Sequence, residues 1–247
     1  MTPNVYSDKT EAVLAVAEEM TNLIKANNAA NQTTVLGLAT GGTPVPLYQE
    51  LIRRHKEEGL SFAKVITFNL DEYSGLEKDH PESYWYFMHQ QLFNHIDIPA
   101  ENINLPSGTV AEDEIEAHCA AYEKAIVDAG GLDYQILGIG RTGHIGFNEP
   151  PSDDSTRTRQ VILHEITRQD AGPAFDGVEN VPSKAITMGV ATVLDAKRIA
   201  LMAWGESKAD IIAATLKGEI TPDIPATYLQ SHKNAQFFLD QAAASKL

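Results

Sequence analysis

Thr34-Val35-Leu36-Gly37-Leu38-Ala39-Thr40-Gly41-Gly42-Thr43-Pro44 decides the reading of the fold. A short β-branched and apolar run stops in glycines and hydroxyls, after which Leu47, Leu51 and Ile52 recur at helical spacing. That is the pattern of a buried strand turning sharply into a helix. Upstream, Ser7 is placed to cap a helix carrying Val13, Val16, Met20, Leu23 and Ile24. Downstream, Val65-Ile66-Thr67-Phe68 reads as the next strand and runs into Asn69-Leu70-Asp71-Glu72-Tyr73. Helical stretches are expected over 82–95 and 112–129, strands over 134–139 and 198–204, and a last helix from near Ser207. Strands alternating with helices predict a single doubly wound α/β domain across residues 1–247, its mostly parallel sheet covered by helices on both faces. The one long irregular piece, 148–183, is rich in Pro, Gly, Ser and Asp and is expected to act as a lid.

Charge narrows the partners. Lys and Arg total 19 against 34 Asp and Glu, a formal net charge of −15. A nucleic-acid binder needs a basic face, and an anionic membrane leaflet would repel this chain, so neither is expected. A local site for a small anion stays open, because net charge governs long-range fields and not each pocket. Four of the arginines, Arg141, Arg157, Arg159 and Arg168, fall in one stretch and balance Glu149, Asp153, Asp154 and Glu165 there. Cys119 is the only cysteine, which removes disulfides within the chain and multi-cysteine metal sites. It shares a helical stripe with Ile115, Tyr122 and Ile126 and reads as core. The first twenty residues carry Asp8, Glu11, Glu18 and Glu19 and no signal-like pattern, so a cytoplasmic address is expected.

Three strand-to-helix loops carry chemistry, as loops at the carboxyl ends of parallel strands do. Thr40-Gly41-Gly42-Thr43-Pro44 suits an anion, with glycines that let backbone approach, hydroxyls that donate and a helix start behind them. A plain turn using glycine for geometry is the alternative. Asp71 and Glu72 come directly after a strand, so one can serve as general base while its neighbour takes a structural partner; on local grounds alone a cap or turn role accounts for them better. Gly138-Ile139-Gly140-Arg141-Thr142-Gly143-His144-Ile145-Gly146-Phe147-Asn148-Glu149-Pro150 formally contains GxGxxG. The residues from His144 to Pro150 turn instead of opening a long helix, so a dinucleotide site is rejected. Glu149 near His144 can orient the imidazole and raise its basicity. One His and one Glu are also half a metal site, but no metal-ligand spacing joins them, and acid–base work is preferred with no metal or cofactor. Lys208, in Gly205-Glu206-Ser207-Lys208, opposes the dipole preference of a helix start unless an anion sits before it; otherwise it is a surface lysine. Tyr84, Trp85, Tyr86 and Phe87 read as helix packing.

Taken in order, LGLATGGTP, TFNLDEYSGL with HPESY after it, GIGRTGHIGFNEP, Thr156-Arg157-Thr158-Arg159, AITMGVATVLDAK and GESK resemble the glucosamine-6-phosphate deaminase/isomerase family over about residues 34–217. The resemblance implies a Rossmann-like fold and conversion of D-glucosamine 6-phosphate and water to fructose 6-phosphate and ammonium, without a redox cofactor. It implies that Asp71 moves the C2 proton toward C1 through an enediol-type intermediate. It also implies that His144, oriented by Glu149, handles the protons of ring opening. By the same resemblance, Gly41, Gly42, Thr43 and Lys208 are expected to hold the phosphate, with Thr40 nearby.

Two positions depart from the family pattern. Thr142 stands where Asp or Asn precedes the Gly-His pair, and Pro173 stands where a lid arginine reaches the phosphate. Arg168 then takes over that contact, or the substrate differs. Arg159 matches the pattern of an allosteric site in longer members, but Val161 replaces its lysine. The departures leave two alternatives open: another hexosamine phosphate such as galactosamine 6-phosphate, and a catalytically weakened sugar-phosphate-binding protein. Related sugar-phosphate lactonases share the Gly-rich loop and GHI but fit FNLDEY and GFNEP less well. Whether the chain is a monomer or a homo-oligomer is left open.

Overall fold

The computed structural model describes residues 1–247. In chain order the strands are β1 (Asn4–Tyr6), β2 (Thr34–Leu38), β3 (Val65–Asn69), β4 (Asp71–Tyr73), β5 (Ile103–Asn104), β6 (Tyr134–Leu137), β7 (Arg159–Ile162), β8 (Lys184–Thr187), β9 (Ile199–Ala203) and β10 (Ala235–Asp240). The α-helices are α1 (Lys9–Ala29), α2 (Val45–Glu58), α3 (Tyr84–Gln91), α4 (Ile115–Asp128), α5 (Glu165–Ala171), α6 (Val190–Leu194) and α7 (Ala209–Lys217).

Seven strands form the main sheet in the order β1-β10-β9-β6-β2-β3-β5, and each paired neighbour is parallel. The strands at its centre are the ones read from sequence: β2, β6 and β9 are buried at every position, as strands covered on both faces must be. From β2 the chain moves outward to β3 and β5, then returns to the other side of β2 with β6. The strand order therefore reverses between β2 and β6, and the loops leaving those two strands open a crevice at that switch point. Close approach across this seam has a reason in sequence. A Cβ on Gly37 would lie 1.9 Å from the Gln135 Oε1, so only glycine lets the buried Gln135 side chain cross beside β2.

A second sheet of three short strands, β4-β8-β7, is antiparallel and was not anticipated. Leu70 joins the two. Its N–H donates to Leu38 O at 2.9 Å, on the main-sheet side, and its carbonyl accepts from Met188 N at 2.7 Å, beyond the end of β8. A small apolar cluster of Tyr73, Phe147, Leu163, Val181 and Ala185 supports this sheet, separate from the large core.

Several sequence boundaries move. α1 is capped by Asp8, which accepts from Glu11 N at 3.0 Å, while Ser7 N donates back to the Glu11 carboxylate; the cap is one residue later than expected. The stretch 82–95 splits into α3 and a 3-10 turn at Phe93–His95, and α4 starts at Ile115. The expected irregular lid at 148–183 holds β7, α5 and 3-10 turns at Gly172–Phe175 and Val178–Asn180. No helix is long and apolar enough to cross a membrane.

Candidate active site

A cavity of about 190 Å³ opens at the β2/β6 switch point, walled by Thr40, Gly41, Gly42 and Thr43 on one side and Gly138, Ile139, Gly140 and His144 on the other, with Asp71 and Tyr84 between them. Gly41 has φ +87°, a left-handed conformation that a side chain would strain. Behind this loop α2 begins at Val45 with no side chain capping its first N–H groups, which leaves a helix N-terminus suited to an anion. The Trp204 indole donates to Thr43 O at 3.2 Å and ties the loop to the end of β9.

Asp71 and Glu72 divide their work. Glu72 Oε1 accepts from Tyr73 N and Tyr84 N, and its Oε2 accepts from Trp85 N. With Ser83 Oγ accepting from Tyr86 N, the first three N–H groups of α3 are satisfied. Burial still leaves the Glu72 carboxyl raised to about 6. Asp71, 5% exposed, faces the cavity instead. Burial first, and then the neighbouring Glu72 charge, push its carboxyl up to about 8.

His144 lies against Gly140, where a Cβ would fall 2.1 Å from the ring. Its Nδ1 faces two groups, Thr142 Oγ1 at 2.9 Å and Glu149 Oε2 at 3.3 Å. A carboxylate on that side assigns the proton to Nδ1 and leaves Nε2 as the free nitrogen of the neutral ring. Glu149 is itself held from the far side, where Thr167 Oγ1 of α5 donates to its Oε1 at 2.5 Å. Burial raises the Glu149 carboxyl, but the contacts with His144 and Thr167 outweigh it, so the group titrates below its ordinary value. No third His, Cys, Asp or Glu joins this pair in a metal-holding cluster.

Lys208 ends the 3-10 turn Glu206–Lys208, and its ammonium donates to Ile139 O at 2.7 Å, on the cavity wall. Burial lowers its pKa. The turn is fixed by Asp240, whose two carboxylate oxygens each accept from Gly205 N at 3.0 Å.

Residues 7–238 match the family model described as glucosamine-6-phosphate isomerases/6-phosphogluconolactonase. The chain belongs to this family. It is 52% identical over 232 residues to a glucosamine-6-phosphate deaminase of Shewanella woodyi, covering 94% of this chain and 87% of the relative. A deaminase of the same name from Cellvibrio japonicus is 53% identical over 214 residues, covering 87% of this chain and 81% of the relative. Among solved structures, a monomeric glucosamine-6-phosphate deaminase superposes with a TM-score of 0.95 at 42% identity, over 100% of both chains. The 6-phosphogluconolactonase of Trypanosoma brucei, 19% identical with a TM-score of 0.77 over 100% of this chain and 99% of its own, shares the fold.

Most of the residues expected for a member of this isomerase/lactonase family meet at one place. Thr40, Gly41, Gly42, Thr43, Asp71 and His144 line the cavity, while Thr142, Glu149 and Lys208 hold its wall from behind. Arg168 does not join them. Its guanidinium donates to Val178 O and Val181 O, away from the cavity wall. Pro173 sits in the first part of a 3-10 turn, where a fixed φ suits it. Three residues of the site were missed. Tyr84, assigned to packing, reaches the cavity from the start of α3. Thr167 and Asp170 gave no signal, because they touch Glu149 and Arg141 only after α5 folds back over the loop.

Proposed function

We propose that this chain converts D-glucosamine 6-phosphate and water to fructose 6-phosphate and ammonium by general acid–base catalysis, within a single working unit spanning residues 1–247. The observation that carries the reading is a buried carboxyl, Asp71, raised to about 8 and facing the same cavity as His144. A carboxylate that is poorly solvated is a stronger base than a surface one, which suits removal of a proton from carbon. Relatives near 50% identity named for this activity support the substrate.

In this reading the phosphate rests on Gly41, Gly42 and Thr43 with Lys208 as counter-charge, and the sugar extends toward Asp71. Nε2 of His144 takes the proton from the C1 hydroxyl and returns it to the ring oxygen, opening the ring. Asp71 then removes the C2 proton. Because C2 carries nitrogen, the intermediate is an enolamine, the nitrogen counterpart of the enediol-type species the family resemblance implies. Protonation at C1 leaves an imine at C2, which water hydrolyses to the ketone with loss of ammonia. Remote phosphate binding supplies orientation for these steps. The Thr142 hydroxyl, 2.9 Å from Nδ1, supports its holding His144 in place of the family's Asp or Asn. The enzyme is expected to work in the cytoplasm.

The test is ammonium release coupled to fructose 6-phosphate formation, run in parallel with galactosamine 6-phosphate and 6-phosphogluconolactone. Turnover of glucosamine 6-phosphate well above the other two is expected. Preference for the galactosamine isomer would move the substrate assignment, and no ammonium from either would end the deaminase reading.

A further inference from the structure

The phosphate cradle has one firm cation, Lys208, in a chain of net charge −15. Of the four arginines in the neutral stretch, three are engaged elsewhere. Arg168 binds carbonyls in the lid, Arg159 binds Asn148 and Ser152, and Arg157 pairs with Asp195. Arg141 is different. It sits at the tip of a tight turn in the loop after β6, closed by Gly140 N to His144 O and Gly143 N to Gly140 O. Two residues before it, Ile139 O receives the Lys208 ammonium. Its guanidinium meets the Asp170 carboxylate of α5 at 2.9 Å, and both side chains are half exposed. Asp170 and Arg141 are also the two charges that act on Lys208, with opposite signs. Two cations and one carboxylate thus lie together behind the Ile139–Gly140 wall of the cavity.

We propose that Arg141 is the second cation for the substrate's phosphate and that Asp170 occupies its guanidinium until the phosphate arrives. This rests on the sugar-phosphate reading of the cavity. An exposed carboxylate–guanidinium pair is weakly held and readily exchanged. A phosphate carries more charge than a carboxylate and also offers two oxygens to the planar guanidinium, so it competes well for Arg141. Exchange also relieves the like-charge opposition between Arg141 and Lys208 by placing an anion between them. Because Asp170 lies one turn beyond Thr167 on α5, the segment that gives up Asp170 keeps its grip on Glu149. Arg141 is therefore a specificity-determining residue for the phosphate, acting from the catalytic loop where the family pattern uses the lid.

The experiment compares Arg141→Ala, Arg141→Lys and Asp170→Asn with the unaltered protein, each checked by thermal melting. Binding of inorganic phosphate is measured by calorimetry, and kcat and KM are measured with glucosamine 6-phosphate. Arg141→Ala is expected to weaken phosphate binding and raise KM by about tenfold or more, with a much smaller change in kcat, and Arg141→Lys to recover part of the loss. Asp170→Asn is expected to tighten phosphate binding. Phosphate affinity unchanged in Arg141→Ala, or weakened in Asp170→Asn, would overturn the proposal. If the unaltered protein releases no ammonium while Arg141 still governs phosphate binding, the reaction assignment fails and the anion assignment stands. Full deaminase activity with an indifferent Arg141 would sink the anion assignment and leave the reaction assignment standing.

Discussion

Asp71 owes its basicity to the place where the chain puts it. It is the first residue after the crossing at Leu70, sealed from solvent on all sides but the cavity, with Glu72 as its charged neighbour. Raising a carboxyl to about 8 has a cost that can be measured. Between its unfolded value of about 4 and its folded value near 8, the folded protein holds a proton that the unfolded chain has released. Stability therefore falls as pH rises across that window. Asp71→Asn removes the penalty. The variant should melt higher than the unaltered protein at pH 9, by about 2–4 °C for each kcal/mol recovered, and lose that advantage below about pH 4. Its kcat should drop by about 10²–10⁴-fold while substrate binding changes little. In the unaltered enzyme, kcat/KM should climb with pH up to about 8, as the base ionises. A variant whose melting advantage over the unaltered protein is no larger at pH 9 than at pH 4 would contradict the assignment.

At the scale of elements, a carboxylate from β4 does for α3 what a cap residue does for most helices. Three backbone N–H groups, of Tyr73, Tyr84 and Trp85, converge on Glu72. Glu72→Ala orphans all three in a buried setting, and denaturant unfolding should show a loss of about 2–4 kcal/mol; Glu72→Gln, which keeps an acceptor, should lose less. A loss below about 0.5 kcal/mol for the alanine variant would show that α3 is held by other contacts. This pair also marks how far the sequence could be read. One carboxylate free to face a cavity and one with structural partners were legible in Asp71-Glu72, and so were β2, β3, β6 and β9, whose apolar runs have no other explanation. The strand β4 was not legible, because Asp-Glu-Tyr resembles an exposed turn although all three residues are buried. β7, Arg-Gln-Val-Ile, was lost for a related reason: it is a short, half-exposed edge strand whose pairing with β8 is its main determinant. The place of Arg168 was not legible either, because a charge in an irregular stretch says nothing about which way its helix turns, and α5 aims it at carbonyls of its own segment.

Across the whole molecule, the large core and the parallel sheet fix the glycine loop and the β6 loop, whereas the small sheet and its five-residue cluster carry Asp71 and the segment around β7. The two bodies meet at Leu70, with one hydrogen bond to each side. That crossing acts as a calliper. One jaw is the glycine loop at the end of β2, the proposed anion cradle, the other is the backbone of Asp71 that opens β4, and the gap between them is set by covalent backbone and two hydrogen bonds. Only the short Asp71 side chain is left to adjust it. Such a gauge measures the carbon chain of a ligand from its phosphate to its acidic C–H. A 2-aminopentose 5-phosphate, one carbon shorter, should compete with glucosamine 6-phosphate for the cradle yet keep its C2 proton in deuterated water. Exchange of that proton at a rate near that of the hexose would mean that the jaws move.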